Sequence, residues 1–269
     1  MASMTFDAVE QRARVLVDMQ SKIAEAIKTE AFTLAYQPQI EVATGRLTGL
    51  EALIRWNSPR YGNISPADFI PVAEDTGQIL EIGEWVLKRA CVDLKRLHLK
   101  CGDHLHVAVN LSAVQLHETD ICEMAVRTLA GLGVATRHLH FELTETALVR
   151  SLHGARVKVA DLKAAGIETW MDDFGTGYAS LSILRQFATS GLKIDRSFVT
   201  DIATNDGDFA ICSAIIVMAQ RLGLKVVAEG VEDSTQAQVL SQLGCDRLQG
   251  YLMGRPVPFD DVLTDWRCR

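Results

Sequence analysis

The sequence predicts an α/β fold, a modified TIM (βα)8 barrel whose first strand runs antiparallel to the rest, and three observations carry that prediction. Eight strand-like runs alternate with helical runs in one series, no Pro/Ser-rich linker interrupts them, and 269 residues is a usual size for such a barrel. A chain of this length could hold two ordinary domains, but the unbroken alternation favours one. The first two strand-like runs are separated only by a short turn at Ala43-Thr44-Gly45-Arg46, too close for a crossover, so they pair antiparallel.

The elements follow in order. Over residues 7–29, Val15, Met19, Ile23 and Ile27 recur every four positions and predict a helix. Residues 1–20 read as a lead-in helix or linker and 21–269 as the barrel domain; Met1 and Met4, so close together, suggest a start added in cloning. Period two then takes over at 32–37 and again at 47–56, the first two strands. Ser65-Pro66-Ala67-Asp68 offers a cap residue, a proline at the first helical position and an acid in the first turn, which opens a helix. Ile82, Trp85, Val86, Ala90, Leu94 and Leu97 keep helical spacing before the third strand at 104–110. A helix burying Ile121, Met124, Ala125, Leu129 and Leu132 ends near Gly131 and Gly133, ahead of the strand at 138–145. Another helix reaches Gly166, then a strand covers 167–173. Short strands at 192–194, 224–229 and 247–250 are separated by helices carrying Ile211, Ile215 and Met218, then Val239, Leu240 and Leu243.

Composition excludes several function classes. The formal charge of −7, with Lys and Arg dispersed, provides no basic stripe for a nucleic-acid polymer. It does not exclude a small anionic substrate, because bound divalent cations reverse a local field. Six widely spaced cysteines without a C-x-x-C pair argue against a zinc knuckle or redox motif and for reduced, mostly buried thiols in a cytoplasmic setting. No apolar run reaches the ~20 residues of a membrane span, so no membrane contact is expected from this domain.

In a βα barrel the chemistry sits at the C-terminal ends of the strands. There the sequence places Asn110, Glu142, Glu145, Asp172, Asp173 and Glu229, with Glu51 in the second strand and Lys193 in the sixth. Taken singly, each acid reads as a helix cap or a solvated loop charge. Crowded at one mouth they repel, and protonation or a multivalent cation relieves that; the cation is the favoured solution. An oxygen donor set without His or Cys suits Mg²⁺ or Mn²⁺ rather than zinc. Adjacent aspartates point in different directions, so Asp172 could bridge two ions about 3.5–4 Å apart while Asp173 holds one. The pairs His104/His106 and His138/His140 look like metal-binding H-x-H motifs, but they open their strands at the opposite, N-terminal face, where structural or surface roles are expected. Gly175 and Gly177 permit a tight or mobile loop after the fifth strand; without a third glycine in a βαβ setting this is not a dinucleotide fingerprint.

These residues stand in an ordered set of motifs: Tyr36-Gln37-Pro38-Gln39, Glu51-Ala52-Leu53-Ile54-Arg55-Trp56, Phe69-Ile70-Pro71-Val72-Ala73-Glu74, Asn110-Leu111-Ser112, Glu142-Leu143-Thr144-Glu145, residues 172–178 and 192–199, Val227-Ala228-Glu229-Gly230-Val231-Glu232, and Gln249-Gly250-Tyr251. Together they resemble the EAL domains, bacterial phosphodiesterases of the second messenger cyclic di-GMP, over residues 21–269. A bare Glu-Ala-Leu tripeptide is a weak signal, whereas nine ordered motifs are a specific one.

The resemblance implies two Mg²⁺ or Mn²⁺ ions, one held by Glu51, Asn110, Glu142 and Asp172, the other by Asp172 and Asp173 with Glu229 near it. It implies catalytic roles for Glu51, Lys193 and Glu229, with Lys193 positioning the attacking water. Gln37, Leu53, Arg55 and Gln249 would contact the substrate, beside Asp172, Lys193, Glu229, Gly230 and Glu232. Glu145 would hold the loop containing Gly175 and Gly177, and Asp195 and Glu232 would support the site. The implied product is linear 5′-pGpG, and the implied partners are cyclic di-GMP, a second copy in a homodimer and an upstream sensor domain. Bland alternatives stand beside three of these roles: Lys193 could pair with Asp195 on the same strand face, Glu145 could cap a helix, and Arg55 could pair with any of the acids. A further alternative is a catalytically silent cyclic di-GMP receptor, although the ligand residues and loop glycines that such receptors lack are present. Ala179, the segment Phe187-Ala188-Thr189-Ser190 and Gln78 depart from the family pattern without removing a proposed ligand.

Overall fold

A computed structural model describes residues 6–149, 152–176, 184 and 186–265, with the side chains of 6–15, 149, 152, 153 and 265 left aside. The loop residues Gly177, Tyr178 and Ala179 lie outside the described residues.

The barrel strands are β1 (Phe32–Glu41), β2 (Leu47–Ser58), β4 (His106–Asn110), β5 (Leu139–Thr144), β6 (Glu168–Phe174), β7 (Gly191–Ile194), β8 (Lys225–Ala228) and β9 (Arg247–Gln249). They follow one another as β1-β9-β8-β7-β6-β5-β4-β2, and β1 pairing with β2 closes the ring. As expected from the short turn, β1 is antiparallel to β2, and also to β9 across the closure, while the other barrel neighbours are parallel. Two small strands, β3 (Gly62–Ile64) and β10 (Val257–Pro258), add to β2 and β1 outside the ring. They are too short to carry a period, which is why the sequence does not announce them.

The helices are α1 (Phe6–Lys28), α2 (Pro66–Thr76), α3 (Ile79–Cys101), α4 (Ala113–Glu118), α5 (Ile121–Leu132), α6 (Glu145–Val149), α7 (Leu152–Ala164), α8 (Arg196–Val199), α9 (Asp206–Arg221), α10 (Ser234–Leu243) and α11 (Phe259–Asp265). Ser65 caps α2 by accepting from the Ala67 amide, with Pro66 at its first position, and Gly77 closes it in the left-handed conformation. Gln78 ties this corner to α1: its amide donates to the Gln20 carbonyl at 3.1 Å.

Phe32, Trp56, Phe69 and Trp85 bring their rings within 5.3–6.2 Å of one another along successive contacts and fasten α2 and α3 over the mouth end of β1 and β2. The space between strands and helices is aliphatic, with Leu87, Leu94, Leu97, Leu105, Leu129, Leu143 and Leu162 at or near zero exposure. The barrel interior differs. Alternation along the strands turns Gln39, Glu51, His106, His140, Glu142, Lys193 and Gln249 onto one buried face, where such barrels commonly pack branched aliphatics.

The expectation of reduced thiols holds for Cys91, Cys122, Cys212 and Cys245, which are free. It fails at Cys101, which is disulfide-bonded; a pairing between distant cysteines depends on their approach in space and leaves no mark in spacing.

Gly250 follows the site residue Gln249, and a Cβ added there would lie 2.2 Å from the backbone N and O of Val231. Gly250→Ala should therefore cost about 2–3 kcal/mol, read as a lower urea midpoint. Gly131→Ala, where an added Cβ meets nothing within 4 Å, should leave the midpoint unchanged or raise it.

Candidate active site

One lysine organises the barrel mouth. Lys193 is 1% exposed, and its Nζ lies 2.6 Å from Glu142 Oε2, 2.6 Å from Glu229 Oε1, 3.2 Å from Asp172 Oδ1 and 3.5 Å from Glu51 Oε2. The four acids come from β2, β5, β6 and the end of β8, so convergence is a property of the closed ring. The alternative pairing of Lys193 with Asp195 is not formed: Asp195 caps α8, accepting from the Ser197 amide at 3.0 Å. Period two assigns both residues to one face but at different heights, and Lys193 sits at the height of the acids.

Two amides orient Glu51. Asn110 Nδ2 donates to Oε1 at 2.7 Å, and Gln249 Nε2 donates to Oε2 at 2.5 Å and to Gln37 Oε1 at 3.2 Å. Asp173 holds φ +52, a left-handed conformation that Asp tolerates better than most residues, and its amide donates to Asp172 Oδ1 at 3.0 Å. Carboxylate oxygens of Asp172, Asp173 and Glu229 lie within 4.8 Å of one another.

The electrostatics record the crowding. Burial and the neighbouring charges of Glu51, Asp172 and Glu229 push Glu142 well above the usual carboxylate range, against the pull of Lys193. Burial likewise raises Glu229 to about 8, aided by Asp172 and Glu51, and raises Asp173 to about 6, aided by Asp172 and Asp195. Burial would raise Glu51 too, but Lys193 and the donors Gln249 and Asn110 outweigh it and hold Glu51 below its ordinary value. Lys193 is held well above the ordinary lysine value because four carboxylates overcome the cost of burying its charge. An all-oxygen donor set that retains protons for want of positive charge fits a hard divalent cation.

Above the cluster opens a cavity of about 390 Å³, lined by Gln37, Glu51, Leu53, Asn110, Asp172, Asp173, Asp195, Glu229, Gly230, Glu232 and Gln249, with Tyr251 at its rim. Nearly all the residues singled out from the sequence thus meet at one opening, with Glu142 and Lys193 buried beneath them. Arg55 instead lines an adjoining, mostly apolar cavity of about 460 Å³, beside Ile70, Ile79 and Val86. Its guanidinium donates to the Ile54 carbonyl at 2.9 Å. Glu145 is buried at the start of α6, whose cap is the Thr144 hydroxyl, accepting from the Ala147 amide. Gly175 is close-packed: an added Cβ would lie 2.9 Å from the Phe198 ring. His106 and His140 stack at 3.9 Å at the starts of their strands, as expected of structural residues. The sequence reasoning passed over Gln39, although its period-two relation to Gln37 assigned it to the same face.

The EAL domain family model matches residues 20–256, and the chain belongs to this family. Among its relatives are two proteins of Pseudomonas aeruginosa. The bifunctional diguanylate cyclase/cyclic di-GMP phosphodiesterase MucR is 41% identical over 265 residues, 98% of this chain and 38% of MucR. The cyclic di-GMP phosphodiesterase NbdA is 41% identical over 247 residues, 92% of this chain and 32% of NbdA. The chain thus spans about a third of the length of these relatives. The solved MucR phosphodiesterase in complex with c-di-GMP superposes with a TM-score of 0.86 at 39% identity, covering 91% of this chain and 99% of that one. Klebsiella pneumoniae BlrP1 in a manganese/cyclic di-GMP complex gives 0.75 at 29% identity, covering 85% and 56%.

The raised carboxylates fix a pH dependence. With chelator present, Glu229 contributes stability that is full below its ordinary 4.5 and is lost as pH rises through about 8; for Asp173 the window runs from 3.8 to about 6. Glu51, held low, acts in the opposite sense and only below about pH 4.5. The melting temperature of chelator-treated protein should fall between pH 5 and roughly 8.5, less steeply in Glu229→Gln; a rise across that range in both proteins would contradict the assignment.

Proposed function

We propose that this domain hydrolyses cyclic di-GMP to linear 5′-pGpG, and the observation that carries the reading is the oxygen-only acid cluster around Lys193 at the mouth of an EAL-family barrel. Residues 21–269 form the phosphodiesterase domain and 1–20 a lead-in. Glu51, Asn110, Glu142 and Asp172 would hold one Mg²⁺ or Mn²⁺, and Asp172, Asp173 and Glu229 a second. When bound, such ions supply Lewis acidity and lower the pKa of water. A water oxygen bonds to phosphorus, one ester oxygen leaves with a proton, and the ring opens.

The chain's own residues account for the rest. Lys193, firmly protonated, presents N–H donors among the acids, where it can orient the attacking water and offset charge developing on phosphate oxygens. Asn110 and Gln249 fix Glu51, so its oxygens meet the reaction already oriented. Gln37, Leu53, Gly230 and Glu232 line the cavity and would position the substrate, and Arg55, which lines the adjoining apolar cavity, would contact it from there. Glu145, Gly175 and Asp195 would support the site and its loop. Homodimerisation belongs to the same reading and rests on resemblance, while a cytoplasmic setting rests on the free thiols of Cys91, Cys122, Cys212 and Cys245, with the bonded Cys101 against it.

A chromatographic assay of cyclic di-GMP turnover tests it. Mn²⁺ and Mg²⁺ should support formation of linear product and Ca²⁺, with its looser coordination, should not. Glu51→Ala should reduce turnover more than about 100-fold. Tight binding of cyclic di-GMP without product in Mn²⁺ would replace the hydrolase with a receptor, and a wild-type rate in Glu51→Ala would overturn the ligand assignment.

A further inference from the structure

Below the acid cluster, the barrel interior carries a file of polar side chains that the reaction described above leaves unused. Gln39 is 2% exposed and His106 5%. Gln39 stands opposite Gln249 on β9 and opposite Gly49 on β2, and Gly49 in turn pairs with His106 on β4. The site for the imidazole depends on that glycine: a Cβ at Gly49 would lie 2.2 Å from the ring of His106.

The direction of the hydrogen bonds is set by the carboxylates. Glu51 accepts, so Gln249 presents its Nε2 to it at 2.5 Å, and the Gln249 carbonyl faces the other way. That carbonyl accepts from Gln39 Nε2 at 3.0 Å, and the same Nε2 lies 3.5 Å from Glu142 Oε1. Gln39 Oε1 is left to accept from His106 Nε2 at 3.0 Å. Burial holds His106 well below its ordinary pKa, so the ring is neutral with one N–H; Nε2 faces both Gln39 Oε1 and, at 3.5 Å, the Arg247 guanidinium. In the tautomer with the proton at Nε2, donors run one way, from His106 through Gln39 and Gln249 to Glu51, with a side contact to Glu142.

We infer that Gln39 is a positioning residue for metal binding: packed against His106, it holds Gln249, and through it Glu51, in the rotamers that present the Glu51 oxygens to a divalent ion. The inference rests on the metal-site reading above. Partners one layer removed from a ligand commonly change metal affinity 10- to 100-fold, whereas a buried amide serving only the fold changes stability and not affinity when it is removed.

Isothermal titration of Mn²⁺ into the whole chain separates these roles. Gln39→Met, similar in volume without an amide, should weaken Mn²⁺ binding about tenfold as well as lower the melting temperature of chelator-treated protein, because the Gln249 carbonyl and the His106 ring lose a partner; an amide serving the fold alone would lower the melting temperature and leave the affinity unchanged. His106→Leu should weaken it similarly, the double variant no further than either single one, and His106→Gln, whose amide can donate to Gln39 Oε1, should recover most of the loss. If the wild type binds Mn²⁺ and Gln39→Met binds it equally well, the inference alone falls. If the wild type binds none, the metal-site reading falls and the inference with it. Should Gln39→Met not fold, equal affinity in His106→Leu and wild type would overturn the inference.

Discussion

A single buried ammonium facing four carboxylates is the constraint around which this barrel is built. Charges cost several kcal/mol each to take out of water, and removing one partner of a buried pair typically costs about 3–5 kcal/mol. Lys193 can be buried only because β7 is enclosed along its length and because Glu51, Glu142, Asp172 and Glu229 reach it from four other strands. The compensation is incomplete, one positive charge against four acids, and the remainder appears as protons retained on Glu142 and Glu229. A site with surplus negative charge and oriented oxygens is poised for added cations, so the feature that makes the fold costly also makes it useful.

The same economy explains the polar barrel axis. Gln37, Gln39 and Gln249 replace the branched side chains that would fill the interior, and each has a partner: Gln37 donates to the Gly254 carbonyl, Gln39 to Gln249, Gln249 to Glu51. A half-satisfied network would be worse than an apolar core. Satisfaction is reached by mixing strands of opposite direction, since Gln37 and Gln39 descend on β1 past residues that ascend on β2 and β9.

Much of this was legible in the sequence, for identifiable reasons. The four-residue turn at Ala43-Thr44-Gly45-Arg46 dictated the reversed first strand, helical spacing placed the large helices, and position at the strand ends put the acids at one mouth, with alternation adding Lys193 and Asp195 on a shared face. Alternation gives a face, though, not a height. Whether Lys193 meets Asp195 or the four acids depends on stagger between strands, which a linear sequence does not carry. For the same reason His106 and His140 could be placed at the starts of strands, while the link from His106 through Gln39 toward Glu51 could not be foreseen. Arg55 has the period of a mouth residue, yet its side chain lines the apolar cavity and donates to the neighbouring Ile54 carbonyl, a local hydrogen bond that alternation does not indicate.

The reversal of β1 has a mechanical corollary. In an all-parallel barrel the chain enters the first strand at the face remote from the chemistry. Here α1 leads into β1 at the mouth, beside the Phe32, Trp56 and Phe69 rings and the Gln78 tether to Gln20. Five residues along the same strand, roughly 17 Å at ordinary strand rise, stands Gln37, and two further on Gln39. The helix, its aromatic contacts and the first strand are therefore continuous with the amides that orient Glu51, and the chain enters the barrel at the end that carries the acids rather than at its base.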